Sequence, residues 1–88
     1  MDLLESFFNE YLEEDPETKI YRVNLKYKIN QFLFEKSMEF DTDLFHNYDY
    51  IYNFINDEHP AILENGRRVM PGLKWRPNIY INRRYENP

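Results

Sequence analysis

Apolar residues first recur at helical spacing. Leu3, Leu4, Phe7, Phe8, Tyr11 and Leu12 form one stripe, and Glu5, Asn9, Glu10, Glu13 and Glu14 form the solvated face opposite. Asp2 and Glu5 ahead of the stripe read as a capping box. Asp15-Pro16 ends it, because the residue before a proline is pushed out of the α region. The pattern predicts a helix over 3–14. The next segment fits two periods. Tyr21, Val23, Leu25, Tyr27 and Ile29 alternate with polar residues as in a strand, whereas Leu25, Ile29, Phe32 and Leu33 fall at helical spacing. The order of elements around it favours a short strand near 19–23 and a helix near 25–36. Ser37 to Thr42 reads as a connection with Met38 and Phe40 turned inward. After a cap at Asp41 or Thr42, the positions Leu44, Phe45, Tyr48, Ile51, Tyr52 and Ile55 predict a helix over 43–57, closed by His59-Pro60.

Both glycines lie in the final third. Asn65-Gly66 is a hairpin signal, since a type I′ turn needs positive φ at both central residues. Pro71-Gly72 reads as a second turn. Ile62, Leu63, Val69, Met70, Trp75 and the run Ile79-Tyr80-Ile81 supply strand-forming positions around these turns. The expectation is a small arginine-bearing sheet, or wing, packed on the helices. Residues 82–88 show no periodicity and are expected to form a flexible tail on a single domain, 1–81.

Helix, short strand, two helices and a C-terminal hairpin is a recognisable order. With Gly66-Arg67-Arg68 and Trp75 followed by Ile79-Tyr80-Ile81, the chain resembles the winged-helix DNA-binding domains. It most resembles those that end virus- and plasmid-type primase–helicases. The resemblance covers about residues 3–81 in element order and implies an α+β, winged-helix-like fold that contacts DNA. One departure is plain: the helix that usually enters the major groove here carries Asp43, Asp49, Asp57 and Glu58 and no base. Phosphates repel such a face.

Charge sharpens this picture. Residues 1–18 hold seven acids and no base, 19–36 five bases and one acid, 37–64 seven acids and no base, and 65–88 six bases and one acid. Such blocks arise when neighbouring elements of opposite sign pack together, or when a polarised surface steers a charged partner. An 88-residue chain has a thin core, which its 18% aromatic content offsets with large side chains. The absence of cysteine excludes disulfides and thiolate metal sites and fits a reducing, cytoplasmic compartment. No apolar run approaches the ~20 residues that span a bilayer, so no membrane role is expected. Abundant Asn, Tyr, Phe, Ile and Lys, with a single alanine, fit AT-rich coding in a low-GC bacterium, phage or mobile element.

The leading candidate chemistry is nucleic-acid contact. Arg67, Arg68, Lys74, Arg76, Arg83 and Arg84 would follow a single- or double-stranded backbone, with Trp75 and Tyr80 as stacking platforms. Lys26 and Lys28, with Arg22 and Lys36, would extend that surface. The plainer alternative makes Trp75 a core residue and pairs the arginines with the acidic helices. A second candidate is a protein-binding face on the two acidic helices, through Glu10, Glu13, Glu14, Asp43 and Asp49, that docks a basic partner or imitates a phosphate backbone. Aromatic residues beyond what the core can bury would anchor a protein partner or a second copy. Catalysis has the weakest footing. His46 and His59 lack ligand spacing, Ser37 has no evident base, and neither glycine belongs to a phosphate loop. The expectation is a non-enzymatic accessory protein, partnered by a replication-type protein, without cofactor or metal.

Overall fold

The computed structural model describes residues 2–81. Asp2 starts the first helix, α1 (Leu3–Tyr11), by accepting a hydrogen bond from the Glu5 amide at 3.2 Å. The predicted helix over 3–14 is three residues too long. It stops at Tyr11, and Leu12 already has extended backbone (φ −126°, ψ 156°), opening strand β1 (Leu12–Tyr21). Leu12 satisfies the helical stripe and a strand equally well, and cross-strand pairing with Trp75 decides for the strand.

Helix α2 (Arg22–Phe40) follows at once. The two-valued segment therefore resolves as a helix, longer at both ends than 25–36. Leu25, Ile29, Phe32 and Leu33 are buried on its inner face, while Val23 and Tyr27, the other apolar members of the alternation that fall on this helix, face outward. The predicted connection 37–42 is largely helix. It ends where Asp41 adopts the left-handed conformation (φ 51°) and the Thr42 amide donates to the Ser37 carbonyl at 3.0 Å, a C-terminal cap of the left-handed type. The Ser37 hydroxyl accepts from the Leu44 amide at 3.0 Å, so this serine ties the helix end to the next turn. Met38 and Phe40, expected inside, are exposed because helical phase turns them away from the core.

A 3-10 turn (Phe45–Asn47) leads into α3 (Tyr48–Glu58), which buries Ile51 and Ile55. Helix α3 thus begins five residues later than predicted, since Asp43 accepts from the Phe45 amide at 2.9 Å and belongs to the preceding loop. Strands β2 (Ile62–Glu64) and β3 (Arg67–Trp75) form a hairpin across Asn65-Gly66, both at positive φ as its turn signal requires. The antiparallel sheet has the order β1-β3-β2. The fold is mixed α+β, three helices packed with one three-stranded sheet.

Pro71-Gly72 is not a turn. It lies inside β3, just past the end of β2, where Asp15–Thr18 of β1 bulge out opposite Gly72. Gly72 has φ +86°, and a Cβ there would stand 2.8 Å from His59 Nδ1. The bulge is pinned by Thr18, whose hydroxyl donates to the Leu73 carbonyl at 2.8 Å, and by Asp15, which accepts from the Glu17 amide at 2.9 Å. It resets the side-chain alternation, so Met70 and Leu73 both face the core although they are three apart.

The core joins Phe7, Tyr11, Leu12, Ile20, Leu25, Ile29, Phe32, Leu33, Ile51, Ile55, Met70 and Leu73. At its centre Phe7 stacks on Tyr11 (centroids 4.8 Å apart) and meets Phe32 edge-on at 5.4 Å. Each such side chain contributes about 1.5–3 kcal/mol by leaving water. The apolar run Ile79-Tyr80-Ile81 forms no strand. β3 ends at Trp75, a turn closes with the Ile79 amide donating to the Arg76 carbonyl at 3.0 Å, and Ile81 is buried. Among the described residues, no helix is long and apolar enough to cross a membrane.

Candidate nucleic-acid interface

The register of the sheet places the hairpin tip beside the start of α2. Tyr21 is opposite Val69, so Arg67 is its diagonal neighbour on the same face. The guanidinium carbon of Arg67 stands 5.8 Å from the Tyr21 ring centroid, within cation–π range. Because α2 begins at the next residue, Arg22 and Lys26 rise on the near side, one helical turn apart. Between them and the tip lies a cleft of ≈ 470 Å³ lined by Tyr21, Arg22, Val23, Lys26, Gly66, Arg67 and Arg68.

Four of these residues are basic and none is acidic. The first turn of α2 holds no acid, and no side-chain hydrogen bond caps it, so the positive end of the helix dipole adds to the cations. Glu64, the acid nearest the tip in sequence, is engaged instead by Lys19, which reaches across β3 to form an ion pair. Lys26 sits 5.5 Å from the Tyr52 ring centroid, within cation–π range. Among the described residues Arg22, Lys26 and Arg68 have no carboxylate within ion-pair distance.

The remaining basic residues have other surroundings. Lys74 and Arg76 lie at the opposite end of β3. Lys74 is exposed and paired in register with Glu13, and Arg76 Nη1 stands 3.6 Å from the same carboxylate. Trp75 is half-buried against the core, with Nε1 buried and unpartnered among the described residues. Part of the ring is packing and part is open. Tyr80 is 78% exposed but stands beyond the strand, away from the cleft-lining residues in sequence and register. Lys28 is turned inward, only 8% exposed, and its ammonium donates to Gln31 Oε1 at 3.1 Å. Desolvation pushes its pKa below the ordinary lysine value, an effect that Glu35 partly offsets. Lys36 is held between Glu10 at 3.9 Å and Glu39 at 3.4 Å. Arg83 and Arg84, like the whole predicted tail 82–88, lie outside the described residues.

The acidic residues expected on one protein-binding face are dispersed. Glu10 is on α1, but Glu13 and Glu14 belong to β1, where successive side chains point to opposite faces. Glu13 faces Arg76, and Glu14 Oε1 stands 3.6 Å from His59 Nε2. Asp43 is a loop residue that supports the 3-10 turn, and Asp49 is exposed in the first turn of α3. Tyr21, like Val23, enters the sequence reading only through the alternating pattern and not as a site residue. Its signal is register: only the pairing of β1 with β3 brings it under Arg67. Family models, curated proteins and solved structures give no match to this chain, so the site rests on the placement of its own side chains.

Proposed function

We propose that the protein is a small non-enzymatic binding module with a winged-helix-like arrangement, which grips the phosphate backbone of nucleic acid in the cleft between α2 and the hairpin tip. The observation that carries this reading is the set of four basic side chains in the lining, Arg22, Lys26, Arg67 and Arg68, at an uncapped helix start. Guanidinium forks and amide donors suit phosphate oxygens, and Tyr21 pre-orients one fork. The order of helices and strands, with β1 pairing beside the hairpin, supports the winged-helix comparison. The phosphates would meet α2 and the tip, since α3 carries Asp49, Asp57 and Glu58 and no base. The module serves as an accessory to a replication-type partner in a phage or mobile element, the context its resemblance and composition suggest.

The test is fluorescence anisotropy with labelled 20-mer duplex and single-stranded DNA across a salt series. Arg67→Ala with Arg68→Ala should weaken binding about 10–100-fold near 50 mM salt and flatten the slope of log K against log salt by about 2. Lys28→Ala should change neither. Absence of binding by the wild type at low salt removes the reading, and an equal loss from Lys74→Ala with Arg76→Ala relocates the site to the far end of β3.

A further inference from the structure

Three of the four cations that line the cleft have a tyrosine beside them. Arg67 stands over the Tyr21 ring, and Lys26 stands 5.5 Å from the Tyr52 ring centroid. Burial raises the pKa of Tyr48, and Arg22 is near enough to oppose that rise. Tyr48 and Tyr52 are half-buried and stacked one turn apart on α3, with centroids 6.3 Å apart and planes within 8°. Cations set among rings suit an unpaired strand, because the charges follow its phosphates while its bases stack on the rings. In a duplex the base faces are already stacked on one another, and no side-chain ring reaches them.

The size of the cleft points the same way. At ≈ 470 Å³ it lies in the lower part of the ~300–1,000 Å³ range of pockets that hold one small ligand. A duplex, whose major groove alone is ~12 Å wide, rests on the rims of such a cleft and lowers no base into it. Val23, 47% exposed, adds an apolar wall that a phosphate has no use for and a base does.

We propose that the cleft between α2 and the hairpin tip seats an unpaired nucleotide, so that the protein takes single-stranded nucleic acid in preference to duplex. The inference rests on the phosphate-gripping reading above and adds which form of nucleic acid the cleft selects. Arg22 and Arg68 hold the phosphate, and the base lies against Tyr21 and Arg67, since a guanidinium plane receives a base as a ring does. The adjoining base passes Lys26 and reaches Tyr52. Tyr21 then has two tasks, to orient the Arg67 guanidinium and to receive a base, and only the second distinguishes a single strand from a duplex.

Anisotropy with three labelled 12-mer probes near 50 mM salt tests the preference: an oligothymidylate, the same backbone with every base removed, and a blunt duplex. The oligothymidylate should bind about tenfold or more tighter than the abasic strand, which carries the same phosphates. It should also bind more tightly than the duplex, although the duplex has twice as many phosphates. Tyr21→Leu should weaken oligothymidylate binding about tenfold and abasic binding by no more than about twofold, whereas Tyr21→Phe should keep wild-type affinity. Tyr52→Leu should act in the same direction as Tyr21→Leu. Photocrosslinking of wild type to a strand that carries 5-iodouracil should mark Tyr21 or Tyr52, a readout that holds even where a variant fails to fold. Equal binding of the three probes by wild type, or tightest binding of the duplex, overturns the preference and leaves the phosphate grip standing. Equal loss on both single strands in Tyr21→Leu, or crosslinks confined to other residues, also overturns it. Absence of binding to every probe removes the phosphate grip and this inference together.

Discussion

The two ends of β3 share a composition and differ in what surrounds them. At the hairpin end Arg67 and Arg68 meet Arg22 and Lys26 across an open cleft with no carboxylate in its lining among the described residues. At the other end Lys74 and Arg76 flank a single carboxylate, Glu13, and the aromatic residue between them packs inward. A run of basic residues in sequence says how many cations a strand carries. Only the neighbouring strand says which side chains each of them stands against. Here β1 supplies an acid at its first residues and a ring at its last, and that asymmetry sets the polarity of the whole sheet.

The strongest way to break this contrast is at Trp75. If the far end is structural, Trp75→Ala should cost about 2–3 kcal/mol, below the range for a fully buried tryptophan because this one is half-buried. For a domain of this size that lowers Tm by roughly 10 °C or more. Arg68→Ala should leave Tm within about 2 °C while weakening DNA binding. Thermal denaturation of both variants, with anisotropy on the folded protein, separates the two roles. If Trp75→Ala were thermally neutral and defective only in binding, the stacking role expected from sequence would be restored.

Gly72 separates the two ends and should show the next largest effect. Its left-handed backbone lets the strand change phase, so Leu73 and Met70 both reach the core and the side chains beyond follow. Gly72→Ala meets two penalties, a positive φ of +86° and a Cβ 2.8 Å from His59 Nδ1. About 1–3 kcal/mol of destabilisation is expected. Adding His59→Ala should recover the steric part and leave the conformational part. Equal destabilisation in the single and double variants would show that the imidazole was never in the way.

The effect at Glu13 is smaller and of opposite sign. Glu13→Gln removes the carboxylate beside Lys74 and Arg76 without changing shape. DNA affinity at low salt should then rise up to about tenfold, with the salt slope steepened by roughly 1. A titration that superimposes on wild type would mean the far-end cations are kept from DNA by position and not by charge.

Much of this was legible before the fold was known, and the exceptions that touch the sheet share a cause. The α1 stripe, the Asp2 cap, the Asn65-Gly66 turn and the inner face of α2 follow from local chemistry and appear where expected. The failures at Leu12, Pro71-Gly72 and Ile79–Ile81 all lie where a strand partner decides. Leu12 leaves the helix to pair with Trp75, and Gly72 bends within a strand because four residues of β1 bulge opposite it. Ile79–Ile81 finds no neighbouring strand. The same holds for the site. Arg67 and Arg68 were visible as a dipeptide, and Lys26 as part of a basic block. That they meet across a cleft with Tyr21 between them depends on register, which no periodicity encodes. The acidic face dissolved for the same reason: once Glu13 and Glu14 belong to a strand, they cannot point the same way.

Lys28 gives the smallest predicted effect and the sharpest check on how cations are partitioned. It belongs to the same basic block as Lys26, two residues away, yet its side chain is buried and its pKa is lowered by desolvation. A lysine whose folded pKa lies below its unfolded value, about 10.4, binds protons less readily when folded. Below the folded pKa the cost of burying the charge is felt in full. Between the two values the unfolded chain holds more protons, so stability rises with pH, and above both the cost is gone. Lys28→Met removes that cost and should stabilise the protein by about 0.5 kcal/mol at pH 7, an advantage that disappears as pH climbs toward 10.4. Tyr11 and Tyr48 act oppositely in the same range, because burial raises their pKa values and their ionisation favours the unfolded chain. Both tyrosines are present in wild type and variant, so the difference in urea midpoints between the two proteins across pH 7–10.5 isolates Lys28. A gap independent of pH would mean that the ammonium reaches water after all. Lys28 would then rejoin Lys26 on the basic surface, and the division between cleft cations and structural cations would have to be redrawn along α2.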